Sequence, residues 1–453
     1  MVKKQEEVLL VDDKQGKAGL ECINVGLLGI GTVGSGVAQL LVDNQDHITR
    51  RAGLNIKVKK ALVRDVNRAR QVDYSLPLTT KAEDILSDPD IQLVVEVMGG
   101  LKPAFNYIIE ALRRGKHVVT ANKDLIATRG KELFAAAKEA GVDIYFEASV
   151  GGGIPIIRPL KDCLAGNRIQ KVYGIVNGTT NYILTQMDRG NTYEKALKQA
   201  QEKGFAEADP SADVLGLDAA RKIAILASIA FSARVTESDV TCTGVQDLEP
   251  LDLAYARELG YKVKLLASAQ EVNGAIDVRV QPSLVAQEHP LASVDGVLNA
   301  IAVQGDAVGE VIFSGQGAGR LATASAVVGD IIEVAHNIKS GIKGRNGCTC
   351  FSTKPFCPPD KVCSSYFVRI EVLDKPGVMA KVATVFGNAG VSLWSVIQKR
   401  QTDRGAEIVI ITHPAPSQSF YQALDILKTF PETFTIHQPM TVEGDEAYVA
   451  GHH

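Results

Sequence analysis

Six residues from Gly29 to Gly34 read GIGTVG, and the chemistry this spacing serves is the binding of a pyrophosphate. The loop follows an apolar, β-prone segment, Ile23–Leu28, and runs into Val33, Val37, Leu40 and Leu41 at helical spacing. In that context Gly29 allows the tight turn, Gly31 lets backbone approach a phosphate, and Gly34 lets the helix lie close to the sheet. Ile30, Thr32 and Val33 supply the rest of the cradle, where free amides and the helix dipole favour an anion. The competing reading is a strand-to-helix turn whose glycines serve packing alone. The next predicted strand, 56–63, leads into Arg64 and Asp65, with Arg68 and Lys81 further on. An acid at this strand end suits the ribose of NAD, and a base suits the 2′-phosphate of NADP. With Arg64 first and Lys81 nearby, the balance leans to NADP, although a solvated Arg64 explains the sequence equally well.

A second segment, Gly204–Lys222, reads GFAEADPSADVLGLDAARK. Glu207, Asp209, Asp213 and Asp218 precede Arg221 and Lys222, and Asp218 and Lys222 share one face of an expected helix. Read alone, acids near a helix start and an i,i+4 ion pair are ordinary surface features.

The elements that must hold these residues follow from apolar patterning. Strands are expected at 23–28, 56–63, 91–97, 117–120 and 143–147, with amphipathic helices at 102–114 and 129–140 between them. That alternation indicates a parallel sheet in an α/β domain. From about residue 165 the pattern changes to α+β. Strands are expected at 168–177 and 277–280, and helices at 192–203, 208–229 and from Pro250. The small-residue-rich stretch 317–337 is expected to be a helix returning to the first domain. Residues 339–365 are rich in Gly, Pro, Ser, Lys and Cys and read as a linker. Beyond them lies a β-α-β-β-α-β pattern: strand 366–373, helix 377–389, strands 391–398 and 407–412, helix 420–430 and strand 433–442. This is the ferredoxin-like order.

Composition narrows the function classes. The chain of 453 residues carries 49 Lys and Arg against 52 Asp and Glu, which argues against a nucleic-acid-binding surface over the whole molecule. Its 45% hydrophobic and 22% charged content excludes wholesale disorder. No apolar run reaches the ~18 residues of a membrane span. Residues 1–19 read as a polar lead-in, and Gly451-His452-His453 is set aside as native or foreign. Seven cysteines, without an export signal, fit a reducing cytoplasm rather than a disulfide scaffold. Cys348, Cys350, Cys357 and Cys363 cluster, but lack the paired CxxC of common zinc sites. They read as free thiols in a flexible linker, with metal binding or redox sensitivity the rival readings.

GIGTVG, VVEVMGG (94–100), TANK (120–123), NGTTNYIL (177–184) and the 204–222 segment, in this order and spacing, together resemble homoserine dehydrogenase across roughly residues 20–335. DKPGVMAKVATVFG (374–387) resembles an ACT domain. The resemblance implies an α/β architecture: a Rossmann-like NAD(P)-binding domain at 20–160, joined by 315–338, an α+β substrate and dimerisation domain at 161–314, a 339–365 linker and a ferredoxin-like ACT domain at 366–443. The implied reaction is reversible NAD(P)H-dependent reduction of aspartate 4-semialdehyde to homoserine, serving threonine, methionine and isoleucine biosynthesis. It implies that Lys222 is the general acid/base and that Lys123 is a second cation that also touches the cofactor. Glu207 and Asp218, with Asp213 beside them, are implied holders of the substrate ammonium. Gly178 and Thr179 are implied as a backbone and hydroxyl site for its carboxylate, and Gly204 and Gly317 lie against the cofactor. Phe205, where the family often has Tyr, receives no polar role. EASVGGGIP (147–155) matches a loop holding a monovalent cation such as sodium, mainly through carbonyls of Glu147, Val150, Gly152 and Ile154; a glycine-rich hinge fits the same residues. The ACT unit implies an amino-acid effector, threonine by resemblance, against a purely structural role. An exposed sheet face in the second domain points to a homodimer or homotetramer. The rival functions are another semialdehyde or amino-acid dehydrogenase on this scaffold, and a non-catalytic amino-acid sensor.

Overall fold

The computed structural model describes residues 22–68, 76–401 and 405–443. The polar lead-in and the terminal histidines lie outside them. Six parallel strands form the first sheet in the order Leu78–Thr79, Asn55–Leu62, Cys22–Leu28, Leu93–Glu96, His117–Thr120 and Ile144–Tyr145. Alternation along the strands decides which side chain meets which helix layer. Ile23, Val25, Leu27, Leu93 and Val95 pack with Ala324, Val327 and Ile331 of the Arg320–Lys339 helix. Leu28 and Val94 face the other way, onto Ile108 and Leu112 of the Ala104–Arg113 helix and Leu125. Burying each such side chain contributes roughly 1.5–3 kcal/mol. The chain order reverses between Cys22–Leu28 and Leu93–Glu96, the crevice where ligands bind in doubly wound sheets.

The second sheet runs Gly309–Gln316, Leu298–Gly305, Ile169–Ile175, Tyr261–Val272, Ala275–Ala286, Met440–Glu443, Cys363–Val372, Ala406–Thr412 and Leu393–Gln401. It therefore passes without a break from the α+β unit into the ferredoxin-like unit. The joint is Met440–Glu443, parallel to Ser283–Val285 on one side and antiparallel to Ser365–Phe367 on the other.

Several boundaries differ from the sequence reading. The helix expected at 129–140 spans Lys123–Ala140, because the Asn122 side chain accepts from Leu125 N at 3.2 Å and caps it. The strand expected at 143–147 is only Ile144–Tyr145, and Glu147–Ser149 forms a 3-10 turn. The helix expected at 208–229 breaks into Ser211–Val214 and Leu217–Ala230 at Gly216, whose φ is 83°. A Cβ there would come within 2.8 Å of Cys242 Sγ and 2.9 Å of Val280 Cγ1. The strand expected at 433–442 is two, Thr433–Ile436 and Met440–Glu443, parted at Pro439, which cannot donate to a ladder. Tyr261–Val272, Leu298–Gly305 and Gly309–Gln316 are strands that the sequence reading did not place.

The 339–365 segment is a strap, not a free tether. Asn346 N donates to Asp143 Oδ1 at 2.9 Å, Ser352 N to Ser232 O at 2.9 Å, and Cys357 N to Ile276 O at 2.8 Å. Among the described residues no helix is long and apolar enough to cross a membrane.

Candidate active site

Three helices converge on one carboxylate. The Leu217–Ala230 helix presents Asp218 and Lys222 one turn apart, as the four-residue spacing requires. Lys222 Nζ donates to Asp218 Oδ2 at 2.7 Å and to the Val176 carbonyl at 2.7 Å. Lys123, at the start of its own helix, places Nζ 3.3 Å from Asp218 Oδ1. Asn177, the cap of the Gly178–Asp188 helix, donates from Nδ2 to Asp218 Oδ2 at 2.8 Å and to Asp213 Oδ1 at 2.7 Å. Its Oδ1 accepts from Thr180 N at 2.9 Å, so one amide caps a helix and clamps two acids. Arg221 binds Glu237 at 2.9 Å and Asp124 at 3.4 Å, tying the Lys222 helix to the residue after Lys123.

Burial pushes the Asp218 carboxyl up, but the Lys222 and Lys123 charges, with hydrogen bonds from Lys222 and Asn177, hold it well below the usual carboxylate range. It is therefore a permanent anion between two ammonium groups. An ammonium has three donors, and the Val176 carbonyl and Asp218 take two of those on Lys222. The third can serve a substrate oxygen.

Other implied substrate residues are placed differently from their expected roles. The Thr179 hydroxyl donates to the Phe205 carbonyl at 2.7 Å. Its proton is thus spent, and a carboxylate at this point would rely on the backbone amides opening the Gly178–Asp188 helix. Glu207 is exposed, and its side chain makes no hydrogen bond or ion pair among the described residues. Phe205 stacks edge-on against Tyr182, with ring centroids 5.2 Å apart, an apolar use consistent with its missing hydroxyl.

The glycine loop lies at the crevice of the first sheet. Gly29 has φ 105°, and Gly31 and Thr32 are exposed at the rim. A Cβ on Gly34 would run into the Gly29 carbonyl, whereas one on Gly31 would meet nothing within 4 Å. One glycine is thus needed for packing and another leaves the approach open. The Thr32–Asp43 helix has no acid in its first turn, so nothing opposes an anion there. The cradle fits a dinucleotide. Arg64 and Lys81 follow neighbouring parallel strands, Ala61 pairing with Leu78, so both stand at the same sheet edge. Asp65 Oδ1 accepts from Asn67 N at 2.9 Å and folds its own turn. Gly204, with φ 73°, ends the Tyr193–Glu202 helix region and crowds nothing.

Two further motif residues do structural work that spacing alone did not reveal. Glu96 is fully buried and accepts from Met98 N at 2.8 Å, Gly99 N at 3.1 Å and the Thr120 hydroxyl at 2.6 Å. It shapes the loop that faces Gly29. Asn122 Nδ2 donates to the Gly100 carbonyl at 2.7 Å while its oxygen caps the Lys123 helix. The loop and Lys123 are thereby linked through one side chain. The available signal for Glu96 was a charge inside an apolar run.

At 147–155 the Glu147 carboxylate is fully engaged by the amides of Ile156, Ile157 and Arg158, at 2.6, 2.8 and 2.8 Å. Only its carbonyl remains for a cation, as the resemblance implies. Gly152, φ 56°, packs so that a Cβ would strike the Gly317 carbonyl, and Gly317 in turn lies against Asn299. Both polar atoms of the buried Asn299 amide lack a partner among the described residues. The site therefore offers carbonyls and an unsatisfied amide, donors suited to a hard cation. The four clustered cysteines do not converge: among the described residues no three of His, Cys, Asp or Glu are grouped to hold a metal.

Comparison with known proteins assigns a family over most of the chain. The family model described as homoserine dehydrogenase matches residues 155–332, its NAD-binding-domain model matches 29–147, and the ACT domain model matches 366–432. A homoserine dehydrogenase of Bacillus subtilis is 45% identical over 430 residues, 94% of this chain and 99% of the relative. The crystal structure of a homoserine dehydrogenase from Thiobacillus denitrificans has a TM-score of 0.90 at 39% identity, covering 94% of this chain and 99% of that one. A hyperthermophilic archaeal homoserine dehydrogenase in complex with NADPH has a TM-score of 0.59 at 28% identity, covering 69% of this chain and 97% of that one.

Proposed function

The chain belongs to the homoserine dehydrogenase family, NAD(P)-dependent oxidoreductases acting on a CH–OH group, and from that premise we propose that it interconverts L-aspartate 4-semialdehyde and L-homoserine with NADP as the preferred cofactor. The observation that carries the residue assignment is the placing of Lys222 and Lys123 on opposite oxygens of Asp218. The bound cofactor supplies the hydride. As negative charge grows on the carbonyl oxygen, Lys222 gives it a proton, and in the reverse direction Lys222 accepts one. Asp218 holds the Lys222 ammonium in position, and Lys123 takes the other oxygen of the same carboxylate. Asp213, and Glu207 from its exposed turn, bind the substrate ammonium beside Asp218. The amides of Gly178 and Thr179 receive the carboxylate.

In this reading Gly29–Gly34, Gly204 and Gly317 border the cofactor, and Arg64 and Lys81 take the 2′-phosphate. Carbonyls of Glu147, Val150, Gly152 and Ile154 hold a monovalent cation. The enzyme works in the cytoplasm as a homodimer or homotetramer within threonine, methionine and isoleucine biosynthesis, and threonine restrains it through the ACT domain. The test is homoserine-dependent reduction of NADP and NAD by the purified protein, with threonine added during turnover. NADP reduction slowed by threonine is expected, and Lys222→Ala is expected to lose at least 100-fold in kcat while still binding NADPH, followed by its fluorescence. Unchanged kcat in Lys222→Ala overturns the assignment of the proton donor. Absence of turnover with both cofactors favours the sensor reading.

A further inference from the structure

The strap carries a dithiol in a setting that the reaction does not use. Two segments, 232–234 and 348–352, are bound to one another: Ser352 N and Oγ donate to the Ser232 carbonyl at 2.9 and 2.8 Å, and Ala233 bridges to Ser352. This backbone pairing brings Arg234 over Cys348, with Nη2 3.1 Å from Sγ. The amide of Cys350 approaches the same sulfur at 3.4 Å, and Phe351 N closes a turn around Cys350 on Thr349 O at 3.0 Å. Cys348 is exposed, whereas Cys350 is half-buried with its thiol 3.8 Å from the Ser228 carbonyl. The shallow pocket beneath them is lined by Phe134 and Phe146, by Lys161 and by Ile225 and Ile229, so a second cationic side chain borders it.

We propose that Cys348 and Cys350 form a peroxide-reactive dithiol, in which Cys348 is the attacking thiolate and Cys350 the resolving thiol. The asymmetry has an electrostatic cause. The hydrogen bond from the Cys350 thiol, the Cys350 amide and the Arg234 guanidinium outweigh burial and bring Cys348 down to about 5, while the hydrogen bond to Cys348 and burial push Cys350 well up. The Cys348 thiolate attacks one oxygen of hydrogen peroxide, the O–O bond breaks, and the departing hydroxide takes a proton to become water. Cys348 is then a sulfenic acid, oxidised by two electrons. The Cys350 sulfur displaces the hydroxyl, the S–S bond forms, and the Cys350 proton leaves with the hydroxyl as a second water. Two thiols and one peroxide thus give one disulfide and two waters.

Cys163 and Cys363 are exposed thiols on the same chain and serve as internal controls. The full-length protein is treated with iodoacetamide at pH 6.5, and separately with a small excess of hydrogen peroxide, and its peptides are weighed. Cys348 is expected to alkylate at least tenfold faster than Cys163 and Cys363, and several-fold more slowly in Arg234→Gln. Peroxide is expected to remove 2 Da from the peptide holding Cys348 and Cys350. In Cys350→Ser it is expected to leave a sulfenic acid at Cys348, trapped by dimedone. Alkylation of Cys348 no faster than the controls overturns the proposal. So does a disulfide joining any other pair, or a Cys350→Ser protein that yields no adduct at Cys348.

Discussion

Asp218 carries its charge at any pH the protein meets because two ammonium groups and an amide face it. Its folded pKa lies below the unfolded value of about 3.9, so the stability this contributes is present above that value and is lost as the pH falls below about 4. Asp218→Asn should therefore lower the melting temperature at pH 7, and by less at pH 3, where only part of that stability is already lost, which thermal scans at the two pH values would show. The same substitution leaves Lys222 beside Lys123 without a counter-charge. At least a tenfold loss of kcat for aldehyde reduction is then expected in steady-state kinetics; an unchanged kcat would mean that Asp218 does not hold the proton donor in place. Arg64→Ser is expected to raise KM for NADP about tenfold and leave that for NAD unchanged, the size of one charge-assisted contact of ~1.5–3 kcal/mol, measured by steady-state kinetics. At this scale the i,i+4 pairing of Asp218 and Lys222 was readable, because helical period alone sets it. The double clamp of Asn177 and the spent hydroxyl of Thr179 were not, since each depends on a carbonyl or carboxylate brought from elsewhere in the chain.

Among the elements, every strand of the first sheet except Leu78–Thr79 was legible, because burial on both faces leaves short apolar runs such as Leu93-Val94-Val95, and the helices between them are amphipathic. The hairpin Tyr261–Val272 and Ala275–Ala286 was half missed. Its strands are long and carry Lys264, Asp277 and Arg279 buried, ion-paired with Asp295 or with each other, which breaks the apolar run that reveals a strand. The break at Gly216 was likewise hidden, because a left-handed residue is needed only once Cys242 and Val280 crowd it. Gly216→Ala is expected to cost ~1–3 kcal/mol in urea unfolding through strain and overpacking, and to lower kcat by misplacing Asp218 two residues on. Gly34→Ala drives a methyl into the Gly29 carbonyl and is expected to weaken NADPH binding at least tenfold in a fluorescence titration, with much less change in the unfolding of the ACT unit followed by its own probe.

Across the whole molecule, the ferredoxin-like pattern was readable from order alone, but its fusion to the other sheet was not, because the pairing of Met440–Glu443 with Ser283–Val285 spans over a hundred residues of chain. The joint is reinforced by Arg369, fully buried, which binds Asp252 at 2.7 Å and Glu407 at 2.9 Å, with Glu249 at the rim. Tyr255, on the same helix as Asp252, also donates to Glu407 at 2.9 Å. Arg369→Met would leave two buried acids without their cation, and a loss of about 3–5 kcal/mol in unfolding free energy is expected. The mid-sheet joint also sets an order of events during synthesis. The ribosome makes Ala275–Ala286 and Cys363–Val372 before the strand that lies between them. Until Met440–Glu443 emerges, Ser283–Val285 and Ser365–Phe367 present bare hydrogen-bonding edges to the crowded cell. A nascent chain stalled at Pro439 therefore holds two adhesive borders, and the span between making Glu443 and seating it is when this protein most needs a chaperone's cover.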